Sequence, residues 1–307
     1  MRRLVLLALV GLCAQLVDGS LGMGYGVTSA TLLVAGGVGP AAASAAIHLS
    51  EIGTSLLSGA SHHALGNVDW RTVSILAGPG FVGAFGGATL LASVDGGAAR
   101  PVVAVLLLGL GIYVTWRFLA IRRLRFQARP SVRFLAPMGL VAGALDAVGG
   151  GGWGPVGTTS MLSSGRLEPR KVVGSIDTAE FVVTIGASLG FVLALGRHGI
   201  DWQVVGALLA GGAVAAPVAA VLVRVLPARV LGVAAGGVIV LTNLQTLGDV
   251  VGASGMTVAL LASVVFTLWV LWVSWAVKLE QAERAPDRAP DRAPDRGSAR
   301  GGARVAA

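Results

Sequence analysis

Few side chains in this sequence can do chemistry, and those that can recur in a pattern. Glu51 follows His48 by three residues, and Glu180 follows Asp177 by three. In a helix that spacing puts both members of a pair on one face. Asp18 and Asp146 each lead into a glycine-rich stretch, "DGSLGMGYG" at 18–26 and "DAVGGGGWG" at 146–154. Paired acids and a histidine can relay protons, and glycine-rich backbone can bring bare N–H groups up to an anion. The candidate proton-coupling residues are therefore Asp18, His48, Glu51, Asp146, Asp177 and Glu180. The candidate anion-binding residues are Gly24, Gly26, Gly150, Gly151, Gly152 and Gly154, with hydroxyl donors from Thr28, Ser29, Thr158 and Thr159 just after the loops.

Each feature has a plainer alternative. Glycines permit tight helix packing without binding anything. The helix acids are either proton carriers or hydrogen-bonding glue between helices. Asp18 and Asp146 either take part in coupling or cap the chain reversal by accepting backbone N–H bonds, and capping is the better fit. A carboxylate beside an anion repels it, so the two aspartates are not assigned as direct ligands.

These residues sit in a chain built for lipid. Of its 307 residues, 54% are hydrophobic and 12% charged, and mean hydropathy is +0.79. Runs such as "PVVAVLLLGLGIYV" and "MTVALLASVVFTLWVLWVSWAV" recur at about the 20-residue length a bilayer core requires. The expected class is an all-α polytopic membrane protein with about seven to nine transmembrane helices. Four consecutive glycines followed by Pro155 are unfit for an ordinary membrane helix, because each glycine costs about 1 kcal/mol against alanine and proline removes a donor. Broken backbone at that depth is tolerated only where protein buries it or a wet cavity lies beside it. A short segment after such a break aims its N-terminal partial positive charge at whatever lies in the loop.

The chain also repeats itself. "VDGSLGMGYG" at 17–26 aligns with "LDAVGGGGWG" at 145–154, "HLSE" at 48–51 with "DTAE" at 177–180, and Asp69-Trp70 with Asp201-Trp202. Each half reads as an apolar segment, a glycine loop, a short apolar segment and three long helices. Those are expected near 40–65, 72–93 and 101–120, then near 169–196, 203–225 and 230–248, with a final helix near 256–278. The repeats span 1–121 and 134–278, joined by a basic cytosolic linker at 122–133 and followed by a disordered tail at 279–307. In the tail, "APDRAPDRAPDR" puts a proline every four residues and offers nothing apolar to bury. The opening "MRRLVLLALVGLCAQ" mimics a signal peptide, but its place in the repeat argues that it is retained.

Cations decide between crossing and re-entry. If 4–37 and 134–164 are re-entrant hairpins, twelve Lys or Arg outside the tail fall on one side and only Arg2, Arg3, Arg100 and Arg197 on the other. The positive-inside rule favours that arrangement. Three crossings plus a hairpin invert one half relative to the other, a plan common in secondary transporters. The +8 net charge thus fits membrane orientation, with the lipid bilayer and a small anion as partners, and no nucleic acid.

Other chemistry is poorly represented. Cys13 is the single cysteine. "GGGG" lacks the G-K-[ST] of a phosphate loop, and neither G-x-S-x-G nor H-E-x-x-H occurs at a useful place. No enzyme activity, cofactor or metal is expected. His62 and His63 read as interfacial residues at a helix end, and Asp69-Trp70 and Asp201-Trp202 as an N-cap followed by an interfacial tryptophan.

The glycine loops in both halves, "GSLGMGYG" and "GGGGWGP", followed by "KVVGSIDTAEFVVTIGASLGF", resemble the TauE/SafE sulfite exporter (TSUP) family over roughly residues 5 to 275. That resemblance implies a bacterial inner-membrane permease for sulfite, a sulfonate or a related organosulfur anion. With the loops, it gives an expected permease working by alternating access; an anion channel or a structural membrane protein is the competing reading. The cation asymmetry puts the 122–133 linker in the cytosol. Gln127→Cys in a Cys13→Ser background should resist an impermeant maleimide in intact cells and react once they are permeabilised; labelling in intact cells would reverse the topology.

Overall fold

A computed structural model describes residues 2–120, 130–164, 166–196, 199–222 and 227–284. Among them the chain is helical, with no strand. The first half comprises α1 Arg2–Leu21, α2 Tyr25–Ala35, α3 Pro40–Ala64, α4 Trp70–Ser93 and α5 Gly96–Ala120. The second comprises α6 Val132–Gly149, a wide π-type turn at Trp153–Thr158, α7 Thr159–Ser164, α8 Pro169–Leu195, α9 Trp202–Leu222 and α10 Ala228–Val250. A final helix, α11 Gly255–Arg284, packs on α10.

Local chemistry fixes the helix starts. Pro40 and Pro169 open α3 and α8, where a missing N–H costs nothing. Asp69 caps α4 by accepting from Thr72 N at 2.8 Å. Asp201 does the same for α9, accepting from Gln203 N at 3.1 Å and Val204 N at 3.2 Å. Trp70 and Trp202 stay exposed beside these caps. Among the described residues, eight helices are long and apolar enough to cross a membrane: α1, α4, α5, α6, α8, α9, α10 and α11. α3, at 25 residues, matches them in length but carries too many polar side chains to join that set.

Both glycine-loop segments turn back. Arg3, Leu6, Leu7 and Val10 of α1 border one groove with Leu32 and Leu33 of α2, so the segment ends beside its own start. In the second half the Arg166 guanidinium, just past α7, lies 5.9 Å from the Phe134 ring at the start of α6. The two segments open from opposite ends of the bundle. Arg3 meets Asp201 at 3.5 Å, at the end where α8 gives way to α9. At the other end Arg71 donates to Pro130 O at 2.8 Å and Lys171 to Val68 O at 3.1 Å. α3 and α8 consequently run antiparallel, with Ser55 against Glu180, Ser58 against Asp177 and His48 near Phe191.

The helix contacts exchange under a swap of halves. α1 lies on α9 as α6 lies on α4; α3 lies on α9 as α8 lies on α4; α5 and α10 lie on each other. Glycine makes the tightest crossings possible. A Cβ on Gly143 of α6 would strike Gly80 O of α4, and one on Gly211 of α9 would strike Ala8 O of α1.

Two boundaries differ from the sequence expectation. α11 continues to Arg284, so residues 279–284 are helix rather than tail, because "LEQAER" is made of good helix formers ahead of the first proline. The basic linker ends in helix, since Val132 already begins α6; its residues 122–129, and 285–307 of the tail, lie outside the described residues. Gly143→Val should lower the thermal unfolding temperature in detergent, overpacking of this kind costing about 1–3 kcal/mol. Gly206→Ala, where a Cβ meets nothing within 4 Å, should leave it unchanged or raise it. Equal melting of the two variants would mean the α4–α6 crossing is not close-packed.

Candidate functional site

The two glycine loops have one design. Each helix ending in a loop carries an aspartate four residues before a left-handed glycine: Asp18 before Gly22 (φ 68°) and Asp146 before Gly150 (φ 69°). Gly22 N donates to Asp18 O at 2.5 Å, and Gly150 N to Asp146 O at 2.6 Å. Three residues on, an aromatic N–H returns to the same aspartate. Tyr25 N donates to Asp18 Oδ1 at 3.4 Å and Trp153 N to Asp146 Oδ1 at 3.0 Å. The aspartates are caps of the reversal, as their position in the sequence suggested.

The aromatics anchor each loop to the next long helix of its own half. Tyr25 OH lies 3.0 Å from Ser50 Oγ, which itself donates to Ile47 O at 2.7 Å; Trp153 Nε1 donates to Ile176 O at 3.0 Å. Ile47 and Ile176 are the residues just before "HLSE" and "DTAE". Glycines in the opposite half make room for both rings. A Cβ on Gly80 of α4 would crowd Trp153, and one on Gly212 of α9 would crowd Tyr25.

The loops also fill each other. A Cβ on Gly26 would collide with Gly150 O, one on Gly151 with Val27, and one on Gly154 with Met23. Thr158 Oγ1 donates to Gly22 O, and Thr159 Oγ1 to Pro155 O with Tyr113 OH 2.9 Å away. Gly24 (φ 126°) sets the turn into α2, and Gly152 lies against the backbone of Leu145 and Asp146. Thr28 N is held by Gly24 O at 3.0 Å. Ser29 differs: its hydroxyl is fully buried and has no hydrogen-bond partner among the described residues.

The six acid–histidine positions divide into two buried groups, each combining one half's loop aspartate with the other half's helix pair. His48, Glu51 and Asp146 form one, and Asp18, Asp177 and Glu180 the other, with donor atoms within 4.8 Å in each group. His48 Nδ1 donates to Ser44 O at 2.8 Å, because a carbonyl only accepts. That leaves Nε2 facing Asp146 Oδ2 at 3.1 Å and Glu51 Oε2 at 4.0 Å. In the other group Ser55 Oγ donates to Glu180 Oε2 at 3.3 Å and Ser58 Oγ to Asp177 Oδ2. Cation-sized spacing is thus present in both groups, but direct hydrogen bonds already satisfy most of the donor atoms.

Comparison with known proteins gives the family. The family model described as "Sulfite exporter TauE/SafE" matches residues 7–246, which include both loops and both acid pairs. The chain belongs to the TauE/SafE family. A relative in Bacillus subtilis (strain 168), named "Probable membrane transporter protein YtnM", is 47% identical over 256 residues, covering 80% of this chain and 83% of that protein. No solved structure matches the chain. As a TauE/SafE member it is a multi-pass membrane transporter.

Several residues of this TauE/SafE site escape a reading from sequence. His62, expected at the interface, is completely buried: Asn67 Nδ2 donates to its Nδ1 at 3.2 Å, and its Nε2 lies 3.2 Å from Gly19 O and 3.5 Å from Asp177 Oδ2. The α1 helix covers this end of α3, and no local pattern announces a partner 43 residues upstream. His63 does fit the interfacial expectation, exposed against Trp70. Ser44, Ser55 and Ser58 were legible only as members of the stripe 44, 48, 51, 55, 58, 62 on α3. Asp146 joins the loop to the opposite half, so its truncation orphans two buried groups. Asp146→Ala should destabilise the protein by about 3–5 kcal/mol, the scale for breaking a buried pair. Asp146→Asn keeps an acceptor for Trp153 N and should cost less. Indistinguishable melting of the two variants would show that the cap contributes nothing.

Proposed function

We propose that this protein is a secondary permease that moves a small anion, a sulfur oxyanion or organosulfonate, across the plasma membrane. It works by alternating access around the paired glycine loops, with inverted halves rocking about them. Family membership supports the substrate class, and the exchange of contacts between antiparallel halves supports the mechanism. The anion contacts are backbone N–H groups of both loops and the hydroxyls of Thr28, Ser29, Thr158 and Thr159. Asp18, His48, Glu51, Asp146, Asp177 and Glu180 act as the proton-coupling groups. The loops lie against one another in this state, so the reading requires them to part to admit the anion.

The observation that carries this reading is the buried, unpartnered hydroxyl of Ser29 on the first turns of α2. A buried hydroxyl without a partner gains nothing for the fold. It becomes explicable as a donor kept free for a ligand. Ser29→Ala should therefore leave the melting temperature unchanged or raised while increasing KM for the anion. A hydrogen bond to a charged group is worth about 1.5–3 kcal/mol, so the increase should be about tenfold or more. The measurement is counterflow of 35S-labelled thiosulfate, sulfite or sulfoacetate in proteoliposomes. A carrier accumulates label against unlabelled anion and an open channel does not. Wild-type vesicles that show no counterflow with any of the three would refute the permease; unchanged KM in Ser29→Ala would remove α2 from the anion site.

A further inference from the structure

The polar side chains of α3 form a continuous feature. Ser44, His48, Glu51, Ser55, Ser58 and His62 follow steps of four and three residues, which keeps them on one face of the helix. All six are buried, although α3 is 25 residues long and lies among apolar helices. From Ser44 to His62 the stripe rises about 27 Å, close to the roughly 30 Å of a bilayer's hydrocarbon core. A structural helix has no use for polar groups over that whole depth, because each must find a partner away from water.

The partners come from several helices, and those able to exchange a proton are the carboxylates Asp146, Asp177 and Glu180. Ser44 Oγ donates to Ala147 O at 2.6 Å and its own carbonyl holds His48. His48 Nε2 and Asp146 Oδ2, 3.1 Å apart, must share one proton between them, since Nδ1–H is committed to Ser44 O. Glu51 Oε2 is buried beside them and has no hydrogen-bond partner among the described residues. Further along, Glu180 accepts from Ser55 and Asp177 from Ser58. Asp18 lies with these two acids, and His62 and Asn67 close the series. The titratable groups facing the stripe are thus Asp18 from α1, Tyr25 from α2, Asp146 from α6, and Asp177 and Glu180 from α8. α9, which also packs on α3, contains no titratable residue. The three carboxylates of the second group lie within 4.8 Å of one another with His62 3.5 Å from Asp177, so a proton shared among these four side chains supplies the counter-charge without an added ion.

We propose that this face of α3 is a proton path through the depth of the membrane-embedded core, with the His48–Glu51–Asp146 group serving one side and the Asp18–Asp177–Glu180–His62 group the other. The proposal rests on the permease reading and gives it its coupling ion and route. Each hop hands a proton to the next acceptor, and the donor takes one up from behind, so no net charge accumulates on the stripe. The step left open is the helical turn from Glu51 to Ser55, where no direct hydrogen bond joins the two groups among the described contacts. Asp18 and Asp146 belong to both loop and path, so parting of the loops moves a carboxylate in each group. Proton passage and anion access are thereby tied to one displacement.

The test uses purified full-length protein in proteoliposomes containing a fluorescent pH indicator, with 35S-thiosulfate, sulfite and sulfoacetate as probes. Counterflow at equal pH reports carrier exchange; accumulation under an imposed pH gradient reports coupling. The wild type should do both, with proton movement accompanying accumulation. The double variant Ser55→Ala/Ser58→Ala should retain counterflow but lose gradient-driven accumulation about tenfold or more, on the scale of losing a positioned proton carrier. Ser58→Thr keeps a hydroxyl and should recover part of the loss, and Ser61→Ala, half-buried, about 100° round the helix from the stripe and bonded only to Leu57 O, should change neither measurement. If the double variant does not give a monodisperse preparation, Ser55→Ala alone carries the comparison. Parallel loss of exchange and accumulation overturns the path, as does wild-type accumulation driven by a sodium gradient and indifferent to pH. Absence of counterflow in the wild type with all three probes overturns the permease reading, and the path with it.

Discussion

The structure depends on how two aspartates divide their oxygens. Asp146 gives Oδ1 to the backbone of its own loop and Oδ2 to His48 in the opposite half. Asp18 gives Oδ1 to its own loop and lies with Asp177 and Glu180 of the opposite half. A carboxylate is the only common side chain with two equivalent acceptors set to face two ways, and here each must be used to avoid a buried unpaired oxygen. The crossed arrangement makes neither half complete by itself. It also explains why both loops need glycine. The chain must reverse immediately after the aspartate, in a left-handed conformation that costs a residue with a Cβ about 1–2 kcal/mol.

Once the loops are fixed, close approach governs everything around them. Gly26 and Gly151 let the two loops touch through backbone, and Gly80 and Gly212 accept the aromatic rings that pin them. In lipid there is no hydrophobic drive for one apolar helix to prefer another, so such backbone contact and the hydrogen bonds beneath it specify the assembly. The glycines therefore serve packing throughout this state. Any service to an anion, as proposed above, requires the loops to part, and that means releasing these contacts.

Much of this was legible in the sequence because it lies in local periods. The helix positions followed from apolar runs, the caps of α4 and α9 from Asp-Trp, and the reversal caps from an aspartate ahead of glycine. The pairing of His48 with Glu51 and of Asp177 with Glu180 came from spacing alone. What the sequence did not reveal is which pair each loop aspartate would meet. His48 and Asp146 are 98 residues apart and Ser58 and Asp177 are 119 apart, and nothing local distinguishes pairing within a half from pairing between halves. His62 was misplaced for the same reason: a histidine near a helix end reads as interfacial unless a distant segment covers it. The polar stripe was in plain view at 44, 48, 51, 55, 58 and 62, but serine in an alanine-rich helix draws no attention until its partners are known.

The polarity of α3 has a consequence for how the protein is made. Insertion of a helix from the translocon charges about 2.5–3.5 kcal/mol for each ionisable residue near its centre. α3 presents His48 and Glu51 there and is the one long helix of its half without the hydropathy to cross unaided. The residues that satisfy it, Asp146, Asp177 and Glu180, are synthesised only after a further two full-length helices and the linker have emerged. During that interval His48, Ser55 and Ser58 lack these carboxylate partners, while His62 already has Gly19 O and Asn67 from its own half. The centre of its polar face is satisfied only when α6 and α8 arrive. The order of synthesis therefore opposes the order of stability, and the second half of the chain acts as the chaperone of the first.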